Sequence, residues 1–417
     1  MTTRAEPLDE DRPRGGVTPP LSSSQQEHSA APSDSARIST EAEPFAPFFL
    51  LAALDAMLGV AAWLPVTGAA SGVLAVAHPQ EMLFGYVAAV LCGLLLTASR
   101  RWTRSTSAAR GAPLVLAAWI AARFAPAPPA ALAVFAALPL TALAAAVSVP
   151  IIAARDRRDF KVAALLWLFA AAAVAHGLAI EPSLRACALR TALAAKIGLM
   201  TVIGGRVAVA LTAHSLIQRD KTPPRPNPRA LEVVAALAAG LGLAAWAVAP
   251  KSTVAGVLLA LATLAQAARL ARWRGDRALA TPPVLAFHVA YGFAVLGFAL
   301  LAAAVLAPES GLAEAGVHAW TAGAIGGMSL AIMSSMIRRR LGQAFVASPL
   351  NLVSFAGVTL AAVLRLVAAF AERPAPVLAL ASLAWCAAFA AFLLAFGKPL
   401  VLWTINRPPA ARPRKRP

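Results

Sequence analysis

Val162-Ala163-Ala164-Leu165-Leu166-Trp167-Leu168-Phe169-Ala170-Ala171-Ala172-Ala173-Val174-Ala175 is an unbroken apolar run, and it continues through His176 to Ile180 without an Asp, Glu, Lys or Arg. At 1.5 Å per residue, 162–180 covers about 28 Å, close to the hydrocarbon thickness of a bilayer. The run therefore predicts a membrane-crossing helix. Its flanks differ in charge: Arg155, Arg157, Arg158 and Lys161 precede it, whereas only Arg185 follows closely. Basic residues collect in short cytoplasmic loops, so the Lys161 end is expected inside.

The same pattern repeats along the chain. Apolar segments fall at 46–69, 82–99, 112–128, 130–153, 162–180, 186–213, 230–249, 252–270, 283–307, 314–337, 350–371 and 375–403, which predicts an all-α polytopic membrane protein of about twelve transmembrane helices. The loops alternate in charge. Together with the N-terminal tail, one set holds 29 of the 37 Lys and Arg residues, including Arg338, Arg339 and Arg340, while the other holds only Arg185, Lys251 and Arg373. Both termini are thus expected in the cytoplasm.

Composition agrees, with 59% apolar residues and only 13% charged, against about 25% charged in soluble domains. The net charge of +18 follows from the basic inner loops, so no nucleic-acid partner is implied; the lipid bilayer is the expected surrounding. Residues 1–43 carry four basic and eight acidic side chains among Ser, Pro and Gly, and are expected to be a disordered cytoplasmic tail. Residues 44–403 form the predicted membrane domain and 404–417 a basic cytoplasmic tail. The first apolar run begins only near Phe45, which reads as a retained anchor and not as a cleaved leader. Cys92, Cys187 and Cys386 lie in apolar stretches without CxxC spacing, so they read as small core residues.

Ionisable groups within such spans cost roughly 2.5–3.5 kcal/mol each to insert, which makes each one a functional candidate. They are Asp55, His78, Glu81, His176, Arg190, Lys196, Arg206, His214, His288, His318 and Arg365. His78 and Glu81 are three residues apart, on one helical face at the outer mouth of span 2. Such a pair suits a metal-bound imidazole with a carboxylate that orients it, and equally suits a surface His beside a helix-start Glu. His318 enters span 10 from the same side and His176 leaves span 5 there, so three histidines can converge. His288 belongs to a more cytoplasmic layer, either as a ligand or as a hydrogen-bonded core residue, and His214 reads as a solvated helix end. Arg206 is expected to face the bundle interior, holding an anion such as a haem propionate or pairing with Asp55. The glycines of span 10 suit close helix packing, and Met328, Met333 and Met336 suit core filling.

Four segments, in order, carry a family resemblance: Pro44-Phe45-Ala46-Pro47-Phe48-Phe49-Leu50; His78-Pro79-Gln80-Glu81-Met82-Leu83-Phe84-Gly85-Tyr86; Ile203-Gly204-Gly205-Arg206-Val207; and His318 with Gly326-Gly327-Met328-Ser329-Leu330-Ala331-Ile332-Met333. They resemble the NnrS family over residues 44 to 400. The resemblance implies a bacterial inner-membrane protein of about twelve helices that binds haem and copper and serves the response to nitric oxide or denitrification. It implies His78, His318 and His288 as metal-binding residues, with Glu81 and Arg206 beside the cofactor. The concrete form is one haem between His78 and His318. The chain departs from the family pattern at Ala46, where an Arg is usual, and at Gln80 and Gln343, where histidines are usual. Two other functions stay open: a transporter in which Asp55, Arg190, Lys196, Arg206 and Arg365 line a polar path, and a cofactor-free partner or assembly protein. Phosphate-binding loops and Ser/His/Asp arrangements are missing from the sequence, which argues against an ordinary soluble-substrate enzyme.

Overall fold

A computed structural model describes residues 43–61, 78–103, 106–124, 129–155, 159–343 and 347–405. The predicted tails therefore lie outside the described residues, except for Glu43, Thr404 and Ile405, as does the end of span 1. Helices account for nearly all that is described, and no strand occurs among the described residues. Among the described residues, ten helices are long and apolar enough to cross a membrane: α2 (His78–Ser99), α4 (Pro129–Ala154), α5 (Phe160–Leu178), α6 (Pro182–Ile217), α7 (Arg229–Val248), α8 (Thr253–Arg272), α9 (Pro282–Ala304), α10 (Leu312–Arg340), α11 (Pro349–Ala368) and α12 (Pro374–Thr404). Two shorter apolar helices, α1 (Phe45–Ala61) and α3 (Ala112–Phe124), occupy the first and third predicted segments. Each predicted span thus meets a helix, and the protein is an all-α polytopic membrane protein.

Local chemistry sets where these helices begin. Proline opens α6, α9, α11 and α12 within the first two positions, where its missing N–H removes no bond and its fixed φ suits the helix. Ser252 caps α8 by accepting a bond from the Ala255 amide at 3.2 Å. Gly311 precedes α10 with φ of 76°, a left-handed conformation that a side chain there would strain, and its Cα faces the Ala369 carbonyl.

Sequence neighbours pack side by side: α4 on α5, α5 on α6, α7 on α8 and α11 on α12, with α12 returning against α1. Outward leucines and valines such as Leu237, Leu241, Val257 and Leu264 leave an apolar surface suited to lipid. Three helices lie innermost. The most apolar windows of α2, α6 and α10 are 83%, 78% and 78% buried, against 33% for α7, α11 and α12. Those same three helices each contain a π-helical stretch, at Glu81–Tyr86, Met200–Gly204 and Ala319–Gly326. Such i→i+5 segments are rare and concentrate at functional sites. Glu81–Tyr86 lies within one of the segments that carry the family resemblance, and the other two overlap the ends of such segments.

The predicted topological charges include one with a packing role. Arg338 is buried and donates to Asn351 Oδ1 from Nε at 3.2 Å and from Nη2 at 2.6 Å, which ties α10 to α11. Arg340 forms an ion pair with Glu43.

Candidate functional site

His78 and His318 line one cavity of about 510 Å³. Its wall takes His78, Met82 and Tyr86 from α2, Leu189, Arg190 and Leu193 from α6, Trp246 from α7, Leu301 from α9, His318, Thr321 and Ile325 from α10, Arg365 from α11 and Trp385 from α12. Pro250, Lys251 and Pro308 close it from the loops after α7 and α9, so the cavity lies at the end predicted to be outside. The size falls within the 300–1,000 Å³ usual for ligand pockets, and the mostly apolar and aromatic wall with few polar groups is of the usual kind.

The polar groups are held in place. His318 Nδ1 donates to the backbone carbonyl of Glu314 at 2.9 Å, one turn earlier on α10, so its Nε2 carries the lone pair. This is the bond by which metal-binding histidines are usually oriented. The Glu314 carboxylate meanwhile pairs with Arg365 at 3.0 Å, so one residue fixes two members of the wall. The His78 ring hydrogen-bonds to the Gly59 backbone of α1. Arg190 Nε donates to the Ala247 carbonyl at 2.9 Å. Trp385 Nε1 donates to the Ala56 carbonyl at 2.9 Å, and the ring meets Tyr86 edge to face at 6.1 Å. Arg190, Lys251 and Arg365 thus face the cavity, while no Asp or Glu lines it among the described residues.

Glu81 departs from its expected role beside His78. Its carboxylate pairs with Arg123 Nη1 at 3.0 Å, and Arg123 Nη2 reaches Asp55 at 3.5 Å, so one guanidinium ties α1, α2 and α3 together. The reason is proximity: Gly85, in the π-helical turn after Glu81, has no side chain, and the Arg123 guanidinium and Asp55 carboxylate occupy that space. Trp119 Nε1 donates to the Gly85 carbonyl at 3.1 Å, while its ring lies 5.2 Å from the Arg123 guanidinium carbon. Arg123 had no functional signal in the sequence beyond its position in an apolar segment.

Arg206 is a second correction. It does not face the bundle interior or pair with Asp55; its side chain is 46% exposed and pairs with Asp159 at 3.1 Å, just before α5. The length of α6 explains this. Arg206 lies about 36 Å along α6 from Pro182, beyond the roughly 30 Å hydrocarbon layer. His176 also stays apart from the cavity, packing against Phe84 with ring centroids 5.6 Å apart, so two of the three outer histidines converge.

His288 lies in a separate layer, as expected, and is 6% exposed. Thr212 Oγ1 donates its single proton to the Ala208 carbonyl at 2.7 Å, so at 2.8 Å from His288 Nε2 it must accept. The His288 proton therefore sits on Nε2, and Nδ1, which has no hydrogen-bond partner among the described residues, faces the Gly275 backbone. Trp273 covers the ring edge to face at 6.3 Å. Both nitrogens are thereby occupied or blocked, and His288 reads as core. His214 is exposed at the far end of α6. Met328 and Met333 are buried core residues, and Met328 packs against Gly204 together with Met200. Among the described residues, no group of three or more His, Cys, Asp or Glu is placed to hold a metal ion. None of the three departures from the family pattern is in the cavity wall: Ala46 is buried in α1, Gln80 follows the wall residues His78 and Pro79 without joining them, and Gln343 is exposed beyond the opposite end of α10.

Comparison with known proteins gives one family. A search of curated proteins finds no match. The model of the family described as "NnrS protein" matches residues 40–402, from just before α1 to the end of α12. The span takes in α1 to α11, all but the last two residues of α12 and all three π-helical segments, and the chain belongs to the NnrS family.

Proposed function

We propose that the protein is a haem-binding membrane protein of the nitric oxide response, set in the cytoplasmic membrane of a bacterium, with haem held in the cavity between His78 and His318. The observation that carries this reading is that two histidines from different inner helices line one open-mouthed, mostly apolar cavity, and His318 has its Nδ1–H already engaged. Its Nε2 lone pair would be free to bond haem iron. Haem supplies its own four equatorial nitrogens, so a two-histidine site fits where a larger protein-only metal cage is not formed by the described residues.

The remaining wall fits the rest of the molecule. Tyr86, Trp246 and Trp385 offer flat apolar contact, while Arg190 and Lys251 at the mouth suit the propionates that Arg206, facing Asp159, does not reach. When bound, haem would supply an iron able to take nitric oxide or to exchange electrons. Copper has less support, because the cavity contributes two imidazoles and no third strong donor. Gln80 and Gln343 stand outside the cavity, so the family's missing histidines do not remove this site.

The test is an absorption spectrum of the detergent-purified chain, expressed with haem supply, oxidised and dithionite-reduced. A Soret band that is lost or shifted in His78→Ala and in His318→Ala supports the reading. A colourless, folded protein refutes it.

A further inference from the structure

Three cationic side chains stand in the cavity wall, Arg190, Lys251 and Arg365, and no Asp or Glu lines it among the described residues. In the haem reading, Arg190 and Lys251 face the propionates, so Arg365 is the cation left over. Its place is fixed from α10. Arg365 Nη2 lies 3.0 Å from the Glu314 carboxylate, and the Glu314 carbonyl accepts from His318 Nδ1 at 2.9 Å, so one residue holds both the guanidinium and the imidazole. Glu314 and His318 are four residues apart and share a face of the helix. The guanidinium therefore stands beside the cavity histidines, and its charge acts on both His318 and His78.

The ion pair is also oriented. Arg365 lines the cavity with its side chain 22% exposed, whereas Glu314 is not in the wall and its side chain is 51% exposed. Water screens the carboxylate more than the guanidinium, so the pair turns its positive end to the cavity. A cation held there disfavours further positive charge nearby, and ferric iron carries one charge more than ferrous iron. We propose that Arg365 raises the reduction potential of a haem in this cavity, keeping its iron ferrous where it would otherwise be ferric, with Glu314 as the counter-charge that moderates the effect. This inference rests on the haem reading of the cavity.

The test is a redox titration of the purified full-length haem protein, with dithionite supplying the single electron, in wild type, Arg365→Met, Arg365→Lys and Glu314→Gln. The ferrous fraction is read from the absorption spectrum, and thermal unfolding checks each variant. At the potential that half-reduces wild type, Arg365→Met should shift the ferrous-to-ferric ratio toward ferric by about fivefold or more, and Arg365→Lys should recover most of that shift. Glu314→Gln should move the ratio the other way, toward ferrous. Both Arg365→Met and Glu314→Gln break the same ion pair, so a merely structural role moves them in the same direction. If Arg365→Met does not fold, the direction in Glu314→Gln decides alone. Equal potentials in all four proteins, or shifts of the same sign in the two broken pairs, overturn the inference and leave the haem reading standing. A folded Arg365→Met that takes up no haem also overturns it, by making Arg365 an anchor for the cofactor. A folded wild type without a Soret band overturns the haem reading and this inference with it.

Discussion

His318 and Glu314 lie one turn apart on α10, and the imidazole Nδ1–H of the first meets the backbone carbonyl of the second at 2.9 Å. The bond uses the Glu314 backbone, leaving its carboxylate for Arg365. Side-chain changes at Glu314 and His318 should therefore separate. Glu314→Gln should keep haem and the Soret position, with a stability loss of no more than about 1 kcal/mol because the carboxylate is 51% exposed. His318→Ala should lose haem or shift its Soret band. Paired absorption spectra and thermal unfolding check both; loss of haem in Glu314→Gln would show that the carboxylate itself orients the site.

Arg123 offers a sharper stability test. It is the shared partner of Asp55 and Glu81, and its removal leaves two carboxylates facing each other near the outer end of three helices. Arg123→Met should destabilise the protein by an amount near the lower end of about 3–5 kcal/mol, since Glu81 retains 39% exposure. Adding Asp55→Asn should recover part of that loss, a non-additivity that unfolding of the single and double variants measures. Purely additive effects would show that the three groups are not coupled.

How much of this was legible in the sequence depended on whether the signal was local. Apolar length is local, so Val162–Ile180 and the other predicted spans each meet a helix, with starts displaced by four residues at Pro182 and by one at Pro349 and Pro374, where proline opens the helix earlier than hydropathy does. His78 and His318 were legible because both stand at span ends on the same expected side. Pairings across 40 to 70 residues were not. Arg123 with Asp55, and Arg206 with Asp159, depend on helix rotation and on the 36-residue length of α6, neither of which hydropathy reports. The π-helical segments were equally hidden, since they depend on packing among the inner helices and not on composition.

Arg206 gives the complementary prediction. Because its side chain is nearly half exposed and meets Asp159 outside the cavity, Arg206→Ala should leave haem content and spectrum unchanged, while costing about 1–3 kcal/mol of stability because the buried Asp159 carboxylate loses its partner. Haem titration of the variant checks this. Weakened haem binding would return Arg206 to the cofactor.

His288 and Gly275 make a case in which two substitutions must interact. A side chain at Gly275 would place its Cβ 2.7 Å from His288 Nδ1, closer than packed atoms allow. His288 cannot swing away, because its Nε2–H is committed to Thr212 and Trp273 covers the ring. Gly275→Ala should therefore destabilise by about 1–3 kcal/mol through overpacking. His288→Ala should also destabilise, by about 1–3 kcal/mol, because Thr212 loses its donor and a buried space opens. In the double variant the new methyl enters the space left by the imidazole, so the combined loss should be smaller than the sum of the two. Haem content should stay constant throughout, since His288 lies outside the cavity wall. If His288→Ala instead removes colour, His288 is a ligand, and the assignment of both ring nitrogens to packing fails.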